Sequence, residues 1–204
     1  MDFHFSSYLL EDAVNELSKL PGVGKRSAMR LALHLLKQEK PHVKRLGESL
    51  IKMREEMRFC NKCHNISEKE ICNICSNPKR DASLICIVED IRDVLAIENT
   101  GQFKGLYHVL GGLISPMDGI SPSDLEIRSF LTRIEEENIE EVIFALAATV
   151  EGDTTNFYIF KQLKASKIKA SSLARGVAIG DEIEFADEVT LGRSITQRLP
   201  YTGA

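Results

Sequence analysis

The stretch CNKCHNISEKEICNIC sets four cysteines, Cys60, Cys63, Cys72 and Cys75, as two CxxC pairs with eight residues between them. A polar segment this short holds too little apolar surface to fold on its own core. A metal removes that difficulty. Tetrahedral Zn²⁺ takes four thiolates at about 2.3 Å, and each CxxC turn presents two sulfurs to one side of the ion. Disulfides are the competing reading, and they are disfavoured in a chain read as cytoplasmic. A redox dithiol would need only one of the pairs. With four protein ligands the shell is closed, so the expected ion is one structural Zn²⁺ per subunit with no position left for catalysis. His64, beside Cys63, is read as a surface residue because the thiolates already fill the shell. The fifth cysteine, Cys86, lies among Leu84, Ile85, Ile87 and Val88 and reads as a buried core thiol.

The 204 residues carry 43% hydrophobic side chains and a net charge of -4. That is enough for a real core in one large domain or two to three small ones. No apolar run reaches the roughly 18 residues that a membrane span needs, and MDFHFSSYLLEDAV lacks the basic and apolar regions of a secretory signal. The expectation is a cytoplasmic protein without a membrane partner. The charge is divided unevenly. Residues 1–80 hold 15 Lys/Arg against 10 Asp/Glu, and residues 81–204 hold 11 against 20. A basic front and an acidic rear suit two different partners.

In the basic half, LPGVGKRSAMR stands between two helical periodicities, one over residues 6–19 and one over about 25–38 with Ala28, Leu31, Ala32, Leu35 and Leu36 facing inward. Ser6 or Ser7 is the expected cap of the first helix. Gly22 and Gly24 let the backbone turn tightly and admit an outside group. The first amides of the second helix carry partial positive charge and suit a phosphate. Lys25, Arg26 and Arg30 add cations. The pattern is a helix-hairpin-helix, a sequence-independent grip on a nucleic-acid backbone; a plain helical hairpin packed for stability is the alternative, and such hairpins also bind other proteins. A third helix is expected over about 42–58, with Val43, Leu46, Leu50, Met53 and Met57 on one side.

Beyond the cysteines the pattern alternates: strand 84–88, helix 91–99, strand 106–110, helix 124–137, strand 141–147, helix 154–165 and strand 168–172. Such alternation predicts a parallel α/β sheet. A further strand near 177–179 and a helix near 187–197 are expected in the tail. Glu89 ends one strand, and Glu151 and Asp153 follow another, at the carboxyl edge where such sheets bind ligands. Two carboxylates one residue apart in a loop, joined by a third, could chelate Mg²⁺. This arrangement resembles the Toprim domain of topoisomerases, primases and some nucleases.

Together, LPGVGKRSAMRLALHLL, CNKCHNISEKEICNICSNPKRD, AIENTGQFKGLYHVLGGLISPMDGI, TVEGDTTNFYI and LARGVAIGDEIEFADEVTLGRSI closely resemble the bacterial RecR family of recombination mediators. The resemblance implies a multidomain α and α/β chain: a helical DNA-binding region at 1–58, a zinc module at 59–80, a Toprim domain at 81–172 and an oligomerising segment at 173–204. It implies a non-catalytic repair protein that binds single- and double-stranded DNA and forms dimers or ring-like tetramers able to encircle it. It further implies work with RecO and RecF in loading RecA, with Arg26 and Arg30 at the DNA-binding positions and Glu89, Glu151 and Asp153 on the RecO-facing surface. Mg²⁺ is not expected to be required there. Lys25 stands where many members have proline, and Ala147 and Ala148 where Asn-Pro is common. The alternative function is a small metal-dependent Toprim nuclease, with Glu89 as general acid/base and Glu151 and Asp153 on Mg²⁺.

Overall fold

The computed structural model describes residues 7–164 and 166–200. The chain divides into a helical unit ending at Met57 and a second unit beginning at Arg58. Of the two expected caps, Ser6 lies outside the described residues, and Ser7 occupies the N-cap position without a capping side-chain bond.

The first unit comprises α1 (Tyr8–Ser18), α2 (Lys25–Leu36) and α3 (Lys40–Glu56). Helices α1 and α2 close on Val14, Ala28 and Ala32, with Leu10, Leu17, Val23 and Met29 packed around them. Small residues one turn apart on α2 let the two helices approach. That contact turns Leu31 and Leu36 to the surface, contrary to the inward stripe expected from periodicity. Helix α3 has no buried residue at all. Its expected inner face, including Leu46, Leu50 and Met53, is exposed.

The second unit opens with a two-residue hairpin, β1 (Arg58–Phe59) antiparallel to β2 (Ile66–Ser67), around the first CxxC. A four-stranded parallel sheet follows in the order β4-β3-β5-β6, from β3 (Asp81–Val88), β4 (Gly105–Val109), β5 (Glu141–Phe144) and β6 (Lys169–Ser172). Helices α4 (Ile91–Asn99), α5 (Ile127–Glu136) and α6 (Val150–Leu163) connect the strands. A parallel sheet covered on both faces needs apolar residues on both, which is why β3 reads as a continuous apolar run. Ile85 and Ile87 enter one core with Phe130, Val142 and Ile159. Cys86 and Val88 enter the other with Val94, Tyr107 and Val109. Cys86 is the expected core thiol, and burial pushes its pKa up to about 12.

Strand β4 lies at the sheet edge, and several of its outer groups have partners. The Val109 N–H donates to the Cys63 carbonyl at 2.9 Å, and Arg133 Nη1 donates to the Tyr107 carbonyl at 2.8 Å. The Tyr107 hydroxyl donates to Glu98 at 2.7 Å, and Glu98 in turn pairs with Arg80.

The tail contributes α7 (Glu188–Thr196), capped by Asp187. The strand expected near 177–179 does not form. The Val177 N–H goes to Ser194 Oγ at 3.2 Å, and Gly180 turns the chain at φ +94°.

Candidate nucleic-acid interface, metal centre and acidic edge

At the hairpin, the Val23 N–H donates to the Leu20 carbonyl at 3.0 Å, and Gly22 takes φ +78°. That left-handed conformation is one glycine adopts without strain. Gly24 is the N-cap of α2 and supplies no side-chain cap. A Cβ on Gly22 or Gly24 would meet nothing within 4 Å, so these glycines leave the backbone open rather than relieve an internal clash. The first-turn amides of α2 have no intrahelical acceptor, and no acidic residue stands among them. Lys25, Arg26 and Arg30 are all exposed. Gly22, Gly24, Lys25, Arg26 and Arg30 thus lie in the exposed turn and first two turns of α2.

The four cysteine sulfurs lie within 4.8 Å of one another, and Cys63 and Cys72 Sγ are 3.6 Å apart. Tetrahedral Zn²⁺ with about 2.3 Å bonds sets sulfur–sulfur edges of about 3.8 Å, so the cluster fits the ion. Backbone amides point at the sulfurs: Cys72 N–H to Cys60 Sγ at 3.3 Å and Cys75 N–H to Cys72 Sγ at 3.4 Å. Such bonds favour thiolate. Hydrogen bonding to Cys72, then burial, pushes the Cys63 thiol up, while the same contact holds Cys72 down. A divalent cation would offset the repulsion of gathering further thiolates in this half-dry space.

His64 departs from expectation. It is not a free surface residue; it takes φ +59° at the knuckle, and its Nε2 lies 2.9 Å from Ser129 Oγ and 3.5 Å from Glu126. His108, given no role from sequence, is fully buried with Nε2 2.9 Å from the Glu126 carbonyl. Burial drives its pKa down to about 3. Isolated histidines carry no sequence signal for such packing.

At the carboxyl edge, Glu89 follows β3 and is half-buried; burial, then Asp93 and Asp90, raise its pKa. Asp90 and Asp93 are engaged in the capping box of α4. Glu151 and Asp153 do not lie in a loop. Helix α6 begins earlier than expected, at Val150, because the Thr149 hydroxyl accepts the Gly152 N–H at 3.1 Å. Residues two apart on a helix do not face each other, so the pair diverges. Asp153 is held by Arg175 Nη1 at 2.8 Å, with Arg193 at 3.9 Å. Among the described residues, the cysteines are the one group of three or more Cys, His, Asp or Glu with ligand atoms within 4.8 Å of one another. Glu89, Glu151 and Asp153 do not form such a group. The involvement of Arg175 and Arg193 had no sequence signal, since both lie more than 20 residues downstream.

Residues 10–54 match the family described as RecR, helix-hairpin-helix, and residues 57–77 match the four-cysteine zinc finger domain of RecR. Residues 83–174 match the Toprim domain, and residues 176–198 match RecR, C-terminal. A "Recombination protein RecR" of Flavobacterium psychrophilum is 59% identical over 197 residues, covering 97% of this chain and 96% of that one. The chain belongs to the RecR family. A second family member, the "Recombination protein RecR" of Bacteroides thetaiotaomicron, is 57% identical over 203 residues, 100% of this chain and 99% of its own. Another, from Porphyromonas gingivalis, is 54% identical over 198 residues, with 97% and 96% coverage. Among the described residues no helix is long and apolar enough to cross a membrane.

Proposed function

We propose that this chain is a non-catalytic, DNA-binding recombination mediator acting in cytoplasmic DNA repair at the nucleoid. The observation that carries the reading is the start of α2, where a glycine turn without a side-chain cap leads into exposed Lys25, Arg26 and Arg30 with no acid in the first helical turn. Backbone amides and guanidinium groups take phosphate oxygens without reading bases, which suits both single- and double-stranded DNA. One Zn²⁺ on Cys60, Cys63, Cys72 and Cys75 holds the second module rigid. The exposed apolar residues of α3, and Ile183, Phe185 and Val189 in the tail, support self-assembly into a dimer or tetrameric ring around DNA. The edge of Glu89, Glu151 and Asp153 serves as the docking surface for RecO, with RecF a further partner, in promoting RecA loading. The diverging Glu151 and Asp153 and the arginine hold on Asp153 favour docking over phosphodiester cleavage, and Mg²⁺ is not needed there.

Duplex affinity measured across salt concentration tests the reading. Each phosphate contact contributes about 0.9 to the log–log slope. Lys25→Ala with Arg30→Ala should flatten the slope by about 1.8 per chain, and Arg26→Glu with Arg30→Glu should abolish binding in a folded protein. Unchanged slope and affinity in both variants would refute the hairpin assignment. Mg²⁺-dependent cleavage that is lost in Glu151→Gln would overturn the non-catalytic assignment.

A further inference from the structure

Helix α2 carries no carboxylate, and none occurs between Glu16 and Glu39, in a chain with 30 Asp and Glu among 204 residues. On α3 of the same unit, Lys44 stands 3.6 Å from Glu48 and Lys52 3.8 Å from Glu56. The cations of α2 have no such carboxylates on their own helix. With about 3.6 residues per turn, Arg26, Arg30 and Lys37 fall within about 40° of one another around the helix axis. All three are exposed. Ala28 and Ala32, the residues that α2 buries, lie on the opposite side. Among the described residues, neither Arg30 nor Lys37 has an ion-pair partner. Lys37 is the C-cap, so the stripe runs the full length of α2, about 16 Å from Arg26 to Lys37.

Like charges four residues apart on a helix repel, and Arg26 in the first turn also opposes the helix dipole. Both terms work against the isolated helix, and a polyanion laid along the stripe would reverse them. The shape of the stripe selects the polyanion. A duplex that admits a helix into its major groove flanks that helix with two phosphate backbones, whereas Arg30 and Lys37 share one line. A single flexible strand can follow that line from end to end. Its bases are unpaired and have faces to cover. Leu33 is exposed and falls on the same line between Arg30 and Lys37, where a base or sugar would lie between two held phosphates.

We propose that the outer face of α2 is a track for a single nucleic-acid strand. Arg26 and Arg30 hold phosphates at the hairpin end, Lys37 holds one at the far end, and Leu33 packs on the base or sugar between them. A duplex touches the hairpin end alone. The proposal rests on reading the start of α2 as a phosphate contact. It adds Lys37 and Leu33 to the binding residues and fixes the course of the strand along the helix.

Fluorescence anisotropy of an oligothymidylate and of a duplex of equal length, each titrated with the zinc-loaded full-length chain across salt concentration, tests it. Lys37→Gln should flatten the single-strand slope by about 0.7 per chain and leave the duplex slope unchanged. Lys37→Arg should keep the native slope on both. Leu33→Gln should weaken single-strand binding severalfold at an unchanged slope, because an apolar contact releases no counterions. Duplex affinity, which needs the folded hairpin, should be unaltered in all three variants. An unchanged single-strand slope in Lys37→Gln overturns the track, and an equal loss on duplex overturns the single-strand assignment. No effect of Leu33→Gln overturns the base contact. If Lys25→Ala with Arg30→Ala flattens both slopes while Lys37→Gln flattens neither, the track alone falls; if neither variant changes a slope, the hairpin reading falls with it.

Discussion

Gly152 separates the two acidic residues of α6, and replacing it with alanine sets two effects against each other. In an open helix, Gly→Ala stabilises by about 0.5–1 kcal/mol, because alanine loses less backbone freedom on folding. At Gly152 a Cβ would stand 1.9 Å from the Ala147 carbonyl oxygen and 3.0 Å from its carbon. The obstructing atoms are backbone, so relief requires the 147–152 turn to move by about 1 Å or more; overpacking of this kind costs about 1–3 kcal/mol. Packing outweighs propensity, and Gly152→Ala should destabilise the second unit by about 1–2 kcal/mol net. Gly47→Ala is the internal comparison. That glycine lies within α3 with nothing within 4 Å of its would-be Cβ, so the same change should stabilise the helical unit by up to about 1 kcal/mol. Urea titration followed by amide exchange in each unit separates the two effects. With a slope of about 2 kcal/mol per molar, Gly152→Ala should lower its unit's midpoint by about 0.5–1 M. An unchanged or raised midpoint would refute the close-approach argument. Because Glu151 and Asp153 flank the shifted bond, the variant should also weaken any partner that docks at the edge.

Metal analysis should find one Zn²⁺ per chain, lost on chelation together with protection of the 58–77 backbone; a chain that keeps that protection without metal would contradict the zinc assignment. Co²⁺ exchange should give thiolate-to-metal absorption that weakens in Cys60→Ser. Arg80 beside Glu98, offset in part by burial, holds the Glu98 carboxyl below its ordinary value of 4.5. A lowered acid contributes stability above its unfolded pKa and loses it as pH falls through the folded one. Part of the acid sensitivity below about pH 4.5 should therefore vanish in Glu98→Gln. That variant should also cost about 1–3 kcal/mol at neutral pH by leaving the Arg80 guanidinium with carbonyl acceptors but no carboxylate. An acid limb identical to the native chain's would refute it.

The metal cluster was legible because ligand chemistry needs sulfur at fixed spacing and little else. The parallel sheet was legible because a strand covered on both faces must be apolar at every position, as Leu84 to Val88 are. What escaped was decided by tertiary context. Leu31 and Leu36 fit a helical stripe, yet Ala28 and Ala32 make the contact that α1 selects. The apolar run at 177–179 has strand propensity, yet its Val177 N–H is taken by Ser194 of the tail helix rather than by a strand. Glu151 and Asp153 read as loop residues because the capping hydroxyl of Thr149, which starts α6 sooner, is a one-residue signal. The pairing of Asp153 with Arg175 and Arg193 depends on where the tail returns, which local spacing cannot encode.

The bond from Val109 to the Cys63 carbonyl gives the metal a duty at a distance from its ligands. An open sheet edge invites another chain to pair with it. Here the zinc knuckle acts as a guard rail along that margin, with Arg133 beside it. Stripping or oxidising the thiols would take the rail away and leave a sticky ribbon on an otherwise intact sheet. Metal-starved preparations should then be lost to intermolecular β-aggregation before the helical bundle unravels.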